Sequence, residues 1–243
     1  MNFGIIAAGE GSRLVQEGVA LPKPLVELCG SPMIERLIDI FLSNGAGEID
    51  VIVNGHMTEV ARFLELARPE VMARGCSLNV VVKSTPSSMH SFFELSRLLR
   101  GKGRFVVTTV DTVFRPDDFA GYVDAFRDAP DSVDGMMAVT SYIDDEKPLY
   151  VATASDMRVT AFSDTPVADA RFISGGIYGL SDKALDVLGL CMEKGVSRMR
   201  NYQRALLENG LSLRAYDMNK IIDVDHAADI ATAEAFLGCP RRP

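Results

Sequence analysis

The sequence has few of the residues that build nucleophilic or metal-thiolate sites. It contains three histidines and four cysteines in 243 residues. The cysteines are widely spaced and form no Cys-x-x-Cys pair; they are Cys29, Cys76, Cys191 and Cys239. This spacing predicts reduced thiols in a cytosolic protein. Neither a Ser-His-Asp nor a Cys-His catalytic set is indicated.

Positive charge and long apolar runs are also scarce. The formal net charge is −8, which argues against a nucleic-acid-binding protein, although a local group of cations can still bind an anionic substrate. No apolar stretch approaches the roughly 18 residues that a membrane span needs. A strand-like run follows Met1 directly, so we expect no signal peptide. These features predict a cytoplasmic protein with neither a nucleic-acid nor a membrane partner.

Strand and helix patterns alternate along the chain. The apolar run at 49–53 precedes a helical pattern at 59–67, and the run at 78–82 precedes one at 92–99. This alternation predicts an α/β protein with a mostly parallel sheet covered by helices on both faces. The length favours a single domain over residues 1–243.

The first apolar run, Phe3 to Ala8, leads directly into Gly9-Glu10-Gly11-Ser12-Arg13. Glycines after a buried strand expose backbone N–H groups that can bind phosphate. Arg13 and Lys23, the latter between two prolines, are fixed cations suited to a polyphosphate. A Rossmann dehydrogenase would have Gly or Ala where Leu14 stands. The segment therefore predicts a triphosphate loop.

Carboxylates follow two further strand-like runs. The run at 105–110 ends at Asp111, at the sheet edge where open α/β folds bind ligands. A carboxylate there, beside a triphosphate, is a natural Mg²⁺ ligand. Asp223 and Asp225 lie two residues apart near the other end of the chain, and in a strand both would point to the same face. Asp229 is interpreted as an acid at a helix N-terminus.

Taken together, these motifs resemble the nucleotidylyltransferases that activate sugar phosphates and related small molecules. The shared features are Ala-Ala-Gly-x-Gly-x-Arg-Leu at 7–14, Pro-Lys-Pro-Leu at 22–25 and a Gly-x-Pro helix start at 30–32. The resemblance implies a three-layer α/β/α Rossmann-like fold with a mixed, mostly parallel sheet. It implies a Mg²⁺-dependent enzyme that joins an NTP to a phosphorylated small molecule, such as a sugar 1-phosphate, and releases pyrophosphate, as in nucleotide-sugar biosynthesis.

The resemblance also implies roles for individual residues. Arg13 would hold the β- and γ-phosphates, and Lys23 would neutralise the α-phosphate region. Asp111 would hold Mg²⁺ together with Asp223 or Asp225; branches of the family differ on this second ligand. The nucleotide-binding positions would be Ala7, Ala8, Gly9, Gly11, Ser12, Thr85 and Ser88.

The acceptor side departs from the family pattern. The family places a lid hairpin here, at about 141–180, and often Glu-Lys-Pro after its first strands. Asp164 could take the part of the acid, but Thr165 stands where the lysine would be. The literal string Glu146-Lys147-Pro148 comes before the hairpin and is given no role.

Other residues could complete the acceptor site. Gly175 and Gly176 would let a ligand approach the strand backbone closely, or they mark a bulge. Lys220 is a candidate for the missing cation. Arg200 and Arg204 are interpreted as part of a solvated helix face.

The sequence leaves the nucleotide, the acceptor and a homo-oligomeric state open. Because Thr165 replaces the usual lysine, a cytidylyltransferase that uses CTP and a phosphocholine-like phosphorylated alcohol is an alternative. A GT-A-like glycosyltransferase would present Asp-x-Asp after the middle strand, whereas Thr112 and Val113 follow Asp111. A non-catalytic nucleotide-binding module would have lost a phosphate cation or a metal carboxylate, and none is lost here.

Overall fold

The computed structural model describes residues 1–143, 147–167 and 170–239. These residues form thirteen strands: β1 Asn2–Ala7, β2 Glu27–Leu28, β3 Ser31–Pro32, β4 Glu48–Val53, β5 Ser77–Val82, β6 Phe105–Thr109, β7 Thr112–Val113, β8 Gly135–Thr140, β9 Tyr150–Thr153, β10 Val159–Ser163, β11 Phe172–Leu180, β12 Leu213–Asp217 and β13 Ile222–Asp223. The same residues form eight helices: α1 Ser12–Gln16, α2 Met33–Ser43, α3 Thr58–Ala73, α4 Ser88–Leu99, α5 Pro116–Arg127, α6 Asp182–Glu193, α7 Met199–Glu208 and α8 Ala227–Leu237. None of these eight has the length and apolar character needed to cross a membrane.

A nine-stranded sheet forms the centre of the molecule. Its main path runs β10-β9-β11-β6-β1-β4-β5, with β8 paired to β11 and β12. Strands β1, β4, β5 and β6 are parallel, whereas β11 is antiparallel to β6, β8 and β9. The predicted α/β fold with a mixed, mostly parallel sheet is confirmed.

Helices cover both faces of this sheet because successive strand residues point to opposite sides. Phe3 and Ile5 of β1 belong to a core shared with α2, α3, α5 and α8. Ile6 lies in a second core, which is shared with α4, α6 and α7. The predicted three-layer arrangement is therefore confirmed, and it leaves the carboxyl ends of β1 and β6 at one edge of the sheet.

Helices α3 and α4 and strand β12 differ from the sequence-based expectation. Helix α4 begins at Ser88, before the helical pattern predicted at 92–99. Helix α3 continues to Ala73 through Pro69, although the pattern predicted an end at residue 67. A proline normally ends a helix, but here the following turn buries Val71 in the core. Strand β12 was not predicted, because it has only five residues and its buried Leu213 and Ala215 make too short an alternation.

The expectation of four reduced thiols is wrong for one pair. The structure joins Cys29 and Cys239 as a disulfide, with their Cα atoms 5.5 Å apart. Cys29 lies in the turn between β2 and β3, and its N–H donates to Glu234 Oε1 of α8 at 3.1 Å. Cys76 and Cys191 are buried free thiols. Nothing in the cysteine spacing shows that the β2–β3 hairpin packs on the end of α8.

A buried carboxylate on β4 makes the stability of the fold depend on pH. Asp50 has no exposed side-chain surface; Asn79 Nδ2 donates to its Oδ1 at 2.9 Å, and its Oδ2 has no partner. Burial raises the pKa of Asp50 to about 6. Because the folded pKa lies above the unfolded value of about 3.9, the stabilising contribution is complete below about pH 4 and is lost as the pH rises through about 6.

We expect Asp50→Asn to remove this pH dependence, because the amide keeps the oxygen that accepts from Asn79 and carries no charge. Relative to wild type, the variant should gain about 2 to 3 kcal/mol of unfolding free energy between pH 4 and pH 7.5. Urea unfolding of both proteins across this range measures the difference. Asp39→Asn, which changes an exposed carboxylate paired with Arg74, is the matched control. A difference that stays constant with pH would contradict the assignment.

Candidate active site

A cavity of about 400 Å³ opens at the carboxyl ends of β1 and β6. Its lining consists of Ile6, Gly9, Gly11, Ser12, Arg13, Lys23, Ser88, Thr109, Val110, Asp111 and Asp225. Segments from the start, the middle and the end of the chain therefore meet in one place. Both predicted phosphate cations and two of the three predicted metal ligands are among these residues.

The loop after β1 lies directly on Lys23. Gly11 adopts a left-handed conformation with φ 61° and ψ 31°, and a Cβ at this position would lie 2.9 Å from Lys23 Cβ. Only glycine combines this backbone conformation with so close an approach. Around Gly9, by contrast, nothing lies within 4 Å of an added Cβ, so the space beside Gly9 is open to a ligand.

Lys23 is the centre of an ionic cluster at the base of the cavity. Its Nζ lies 2.5 Å from Asp111 Oδ2 and 2.6 Å from Asp225 Oδ1. Arg13 Nη1 lies 3.3 Å from the other oxygen of Asp225. Lys23 is only 8% exposed, whereas Arg13 is 50% exposed. The cluster therefore has one buried cation and one cation at the mouth.

Lys23 and its carboxylate partners stabilise one another's charged forms, which shifts their pKa values. Burial lowers the pKa of Lys23, but the negative charges of Asp111 and Asp225 outweigh it and raise that pKa well above its ordinary value. Burial raises the pKa of Asp111, but the Lys23 ammonium and a hydrogen bond from Thr109 hold it below its ordinary value. Lys23 is therefore cationic and Asp111 anionic at neutral pH.

The structure separates the two candidates for the second metal ligand. Strand β13 ends at Asp223, which pairs with Thr112 of β7, and the chain then turns. Asp225 lies beyond the strand and lines the main cavity, whereas Asp223 lines a second, smaller cavity. The same-face expectation does not apply, because the strand does not extend to Asp225.

A carboxylate that the sequence did not single out holds the turn of Asp225. Glu17, directly after α1, places Oε1 2.6 Å from His226 Nδ1, and its Oε2 accepts the Ala227 N–H at 2.6 Å. Asp229 accepts the N–H groups of Asp225 and His226 at 2.9 and 2.6 Å, which confirms its interpretation as a helix acid. The Glu17–His226 hydrogen bond raises the pKa of His226. The turn is thus fixed from two sides.

The donor set of the cluster fits a hard divalent cation such as Mg²⁺. The Lys23 ammonium acts as a stand-in ion, because its contacts show that one oxygen of Asp111 and one of Asp225 converge on a single point. Within residues 1–143, 147–167 and 170–239, no group of three or more His, Cys, Asp or Glu side chains could hold a metal. Two carboxylates, with water and phosphate oxygens completing the sphere, are the usual arrangement for Mg²⁺.

The predicted nucleotide-binding residues fall into two groups. Gly9, Gly11, Ser12 and Ser88 line the cavity, with Ser88 at the start of α4. Ala7, Ala8 and Thr85 do not border it. Ala7 is buried at the end of β1, the Ala8 carbonyl accepts from Asn54 Nδ2 at 3.2 Å, and Thr85 Oγ1 lies 2.6 Å from Ser91 Oγ.

Protein side chains fill the space beside the two glycines of β11. A Cβ on Gly175 would overlap Ile221 Cδ1, and one on Gly176, which has φ +73°, would lie 2.6 Å from Thr112 Oγ1. The pairing of β11 with β8 shifts register between Ser174 and Tyr178. Gly176 is therefore required by its left-handed backbone and close packing, whereas Gly175 lies against the end of the flexible Ile221 side chain. Gly175 also lines the second cavity.

Asp164 is paired with helix α7. Its two oxygens lie 2.6 Å from Arg200 Nη1 and 2.7 Å from Arg204 Nη2, and hydrogen bonds from Arg204 and Arg200 lower its pKa. These arginines are partly exposed and pair with an exposed carboxylate. The expected hairpin excursion is present as the antiparallel pair β9 and β10, and Glu146 lies outside the described residues.

The second cavity is small and contains no basic side chain among its described lining. Its volume is about 30 Å³, and it is lined by Thr140, Tyr142, Ile173, Ser174, Gly175, Ile221, Ile222, Asp223 and Asp229. Lys220 Nζ lies outside this lining, 3.8 Å from the ring centroid of Tyr142 and 5.4 Å from that of Phe236. Aromatic faces attract cations, so the Lys220 ammonium is held beside the cavity.

Known proteins resemble this chain in sequence and in fold. A model described as the MobA-like NTP transferase domain matches residues 4–171. The 2-aminoethylphosphonate cytidylyltransferase of Lancefieldella rimae is 38% identical over 71 residues, covering 29% of this chain and 28% of that protein. The CMP-5'-(3-aminopropyl)phosphonate synthase of Streptomyces rubellomurinus is 32% identical over 114 residues, covering 46% of this chain and 17% of that protein. The chain thus spans less than a third of either relative.

A solved structure shares the whole fold. It is a putative glucose-1-phosphate thymidylyltransferase from Bacillus anthracis, which superimposes with a TM-score of 0.81 at 21% sequence identity. The superposition covers 100% of this chain and 97% of the other. At this identity the comparison establishes the three-layer fold.

Proposed function

Because the chain belongs to the MobA-like NTP transferase domain family, we propose that it is a Mg²⁺-dependent nucleotidyltransferase. In this proposal it transfers the nucleoside monophosphate of an NTP to a small phosphorylated or phosphonylated acceptor and releases pyrophosphate. CTP is the first NTP to test. The observation that carries the proposal is the burial of Lys23 between Asp111 and Asp225, with Arg13 at the mouth of the same cavity. The family resemblance seen in the sequence motifs is confirmed.

The reaction depends on positioning and charge. An acceptor oxygen attacks the α-phosphorus in line, and pyrophosphate leaves; no covalent nucleophile is needed. Arg13, exposed at the mouth, would hold the β- and γ-phosphates. Lys23 lies deeper and would neutralise the charge that develops around the α-phosphorus. The open space beside Gly9 would admit the triphosphate to the loop backbone.

The residues that would hold Mg²⁺ are Asp111 and Asp225. When bound, the ion supplies charge neutralisation and orients the triphosphate. Glu17 and Asp229 would act through Asp225, since both hydrogen-bond to the turn that carries it or to the residues that follow.

The choice of CTP and of the acceptor class rests on the names of two relatives and on the residue that follows Asp164. The two relatives are named as a cytidylyltransferase and a CMP-linked synthase, and both names contain an aminoalkylphosphonate. Thr165 directly follows Asp164, at the position where the resemblance implies a lysine for sugar phosphates. An aminoalkyl phosphonate or phosphate is therefore the first acceptor to test.

A nucleotide and acceptor panel tests the proposal. We expect CTP with Mg²⁺ to raise the melting temperature most among the four NTPs, since a ligand at a hundred times its Kd stabilises by about 2.7 kcal/mol. Pyrophosphate should then appear when 2-aminoethylphosphonate or phosphocholine is added, and not with glucose 1-phosphate.

Other outcomes contradict specific parts of the proposal. Turnover of glucose 1-phosphate with another NTP would overturn the acceptor and the base. Nucleotide binding without pyrophosphate release for any acceptor would indicate a binding module. Stabilisation by a nucleotide-sugar but by no NTP would indicate a glycosyltransferase.

A further inference from the structure

The Lys23 ammonium occupies the point on which the two proposed metal ligands converge. It contacts Asp111 at 2.5 Å and Asp225 at 2.6 Å, and its side chain is 8% exposed, so water competes little for these contacts. Lys23 begins the short 3-10 turn Lys23–Leu25, which follows Pro22 and includes Pro24. Prolines restrict the backbone on both sides. The local fold therefore fixes the backbone of Lys23, while the side chain that carries the ammonium can still rotate.

Both carboxylates of this cluster are already paired with cations of the protein. Asp111 and Asp225 supply two negative charges, and Lys23 and Arg13 supply two positive ones. A divalent cation arriving alone would have to displace the Lys23 ammonium from both carboxylates. The displaced ammonium would then be buried without an anion, and an unpaired buried charge is strongly unfavourable. The unliganded site therefore resists metal binding.

A nucleoside triphosphate changes this pairing. Its phosphates offer Lys23 and Arg13 new anionic partners within the same cavity. When Lys23 moves to the phosphates, Asp111 and Asp225 become available to a cation, and the phosphates supply the further oxygens that Mg²⁺ requires. Nucleotide and metal therefore favour each other's binding through one lysine, as reciprocal coupling between two sites demands.

We propose that Lys23 is an internal counterion that closes the metal site in the unliganded protein, so that Mg²⁺ enters together with the nucleoside triphosphate and not before it. The identity of the nucleotide rests on the proposed function. The closed state of the site depends only on the contacts of Lys23 with Asp111 and Asp225.

Metal binding by the nucleotide-free protein tests this proposal without an activity assay. Mn²⁺ is titrated into the protein, and free Mn²⁺ is followed by electron paramagnetic resonance. Lys23→Met and Lys23→Gln keep most of the side-chain volume and remove the charge. We expect both variants to bind Mn²⁺ at least tenfold more tightly than wild type, and Lys23→Arg to remain as weak as wild type.

Two control variants test whether the gain in Mn²⁺ affinity arises from the carboxylates that Lys23 contacts. Adding Asp111→Asn to Lys23→Met should abolish the gain, because it removes one of the two freed ligands. Lys83→Met removes an exposed ammonium 2.9 Å from Glu94, and it should leave Mn²⁺ affinity within twofold of wild type. Thermal melts establish that each variant is folded.

The Mn²⁺ affinity of the wild-type protein, measured with and without nucleotide, provides a test that needs no variant. We expect wild type to bind Mn²⁺ at least tenfold more weakly alone than with CTP bound, and to bind CTP in the presence of EDTA. Equal Mn²⁺ affinity with and without a nucleoside triphosphate that stabilises the protein would overturn the proposal. So would folded Lys23→Met and Lys23→Gln variants that bind Mn²⁺ no more tightly than wild type.

The results separate this inference from the proposed function. If the variants gain Mn²⁺ affinity but no NTP stabilises the wild-type protein, the proposed function fails and the counterion role of Lys23 stands. If CTP is turned over but the neutral variants gain no affinity, the function stands and the counterion role fails.

Discussion

Asp111→Asn is expected to lower kcat/KM for the nucleotide by about a thousandfold, which corresponds to about 4 kcal/mol of transition-state stabilisation. The amide cannot provide the anionic oxygen that now contacts Lys23 at 2.5 Å. The reaction would lose a ligand for the cation that neutralises the triphosphate. Steady-state assays of pyrophosphate release, with nucleotide and Mg²⁺ varied separately, measure the effect.

The control for this variant is Asp124→Asn. Asp124 is an exposed carboxylate on α5 and forms an ion pair of similar length, 2.6 Å, with Arg127. Exposed pairs contribute little, so turnover should stay within twofold of wild type. If Asp111→Asn retained turnover within tenfold, a change of about 1.4 kcal/mol, Asp111 would have no place in the mechanism.

Cys29→Ser is expected to lower the free energy of unfolding by about 4 kcal/mol, within the range of roughly 2 to 5 kcal/mol for native disulfides. The bond between Cys29 and Cys239 closes a loop with a sequence separation of 210 residues. A cross-link over so long a loop removes much of the conformational freedom of the unfolded chain. Guanidinium unfolding under non-reducing conditions measures the loss.

Chemical reduction of the Cys29–Cys239 disulfide in the wild-type protein provides the matched comparison for Cys29→Ser. Wild type in a dithiol reductant should approach the stability of Cys29→Ser, and the reductant should not change the variant itself. Thiol titration of the denatured, unreduced wild type should find only Cys76 and Cys191 reactive. Four reactive thiols, or equal stability of wild type and Cys29→Ser, would contradict the cross-link.

The layers of the fold were predictable because their signals are local. Helix α2, Met33–Ser43, shows an apolar stripe and begins directly after Pro32, where the motif predicts a helix start. Buried runs at β1 and β4 are continuous, as parallel strands covered on both faces require. The antiparallel insertion of β11 between β6 and β8 has no such local signal, because it depends on partners distant in sequence.

The residues of the candidate site were likewise predictable where their sequence signals are local. Arg13 and Lys23 lie in one continuous motif, and Asp111 follows a strand that the sequence shows clearly. The choice of Asp225 over Asp223 depends on where β13 ends, and pairing with β7 sets that end. Glu17 carried no signal, since its partner His226 is 209 residues away. Contacts between the ends of the chain appear only once the chain is folded.

Lys23 and Asp225 are 202 residues apart in the sequence. They are therefore synthesised at different times. Arg13 and Lys23 leave the ribosome early, whereas Asp225 follows after roughly 10 to 40 s at typical translation rates of about 5 to 20 residues per second. During that interval the strands and helices of the N-terminal half can assemble, but Lys23 lacks one of its two anions. The nascent chain can therefore complete the Lys23 cluster only when the segment leading into helix α8 has been made.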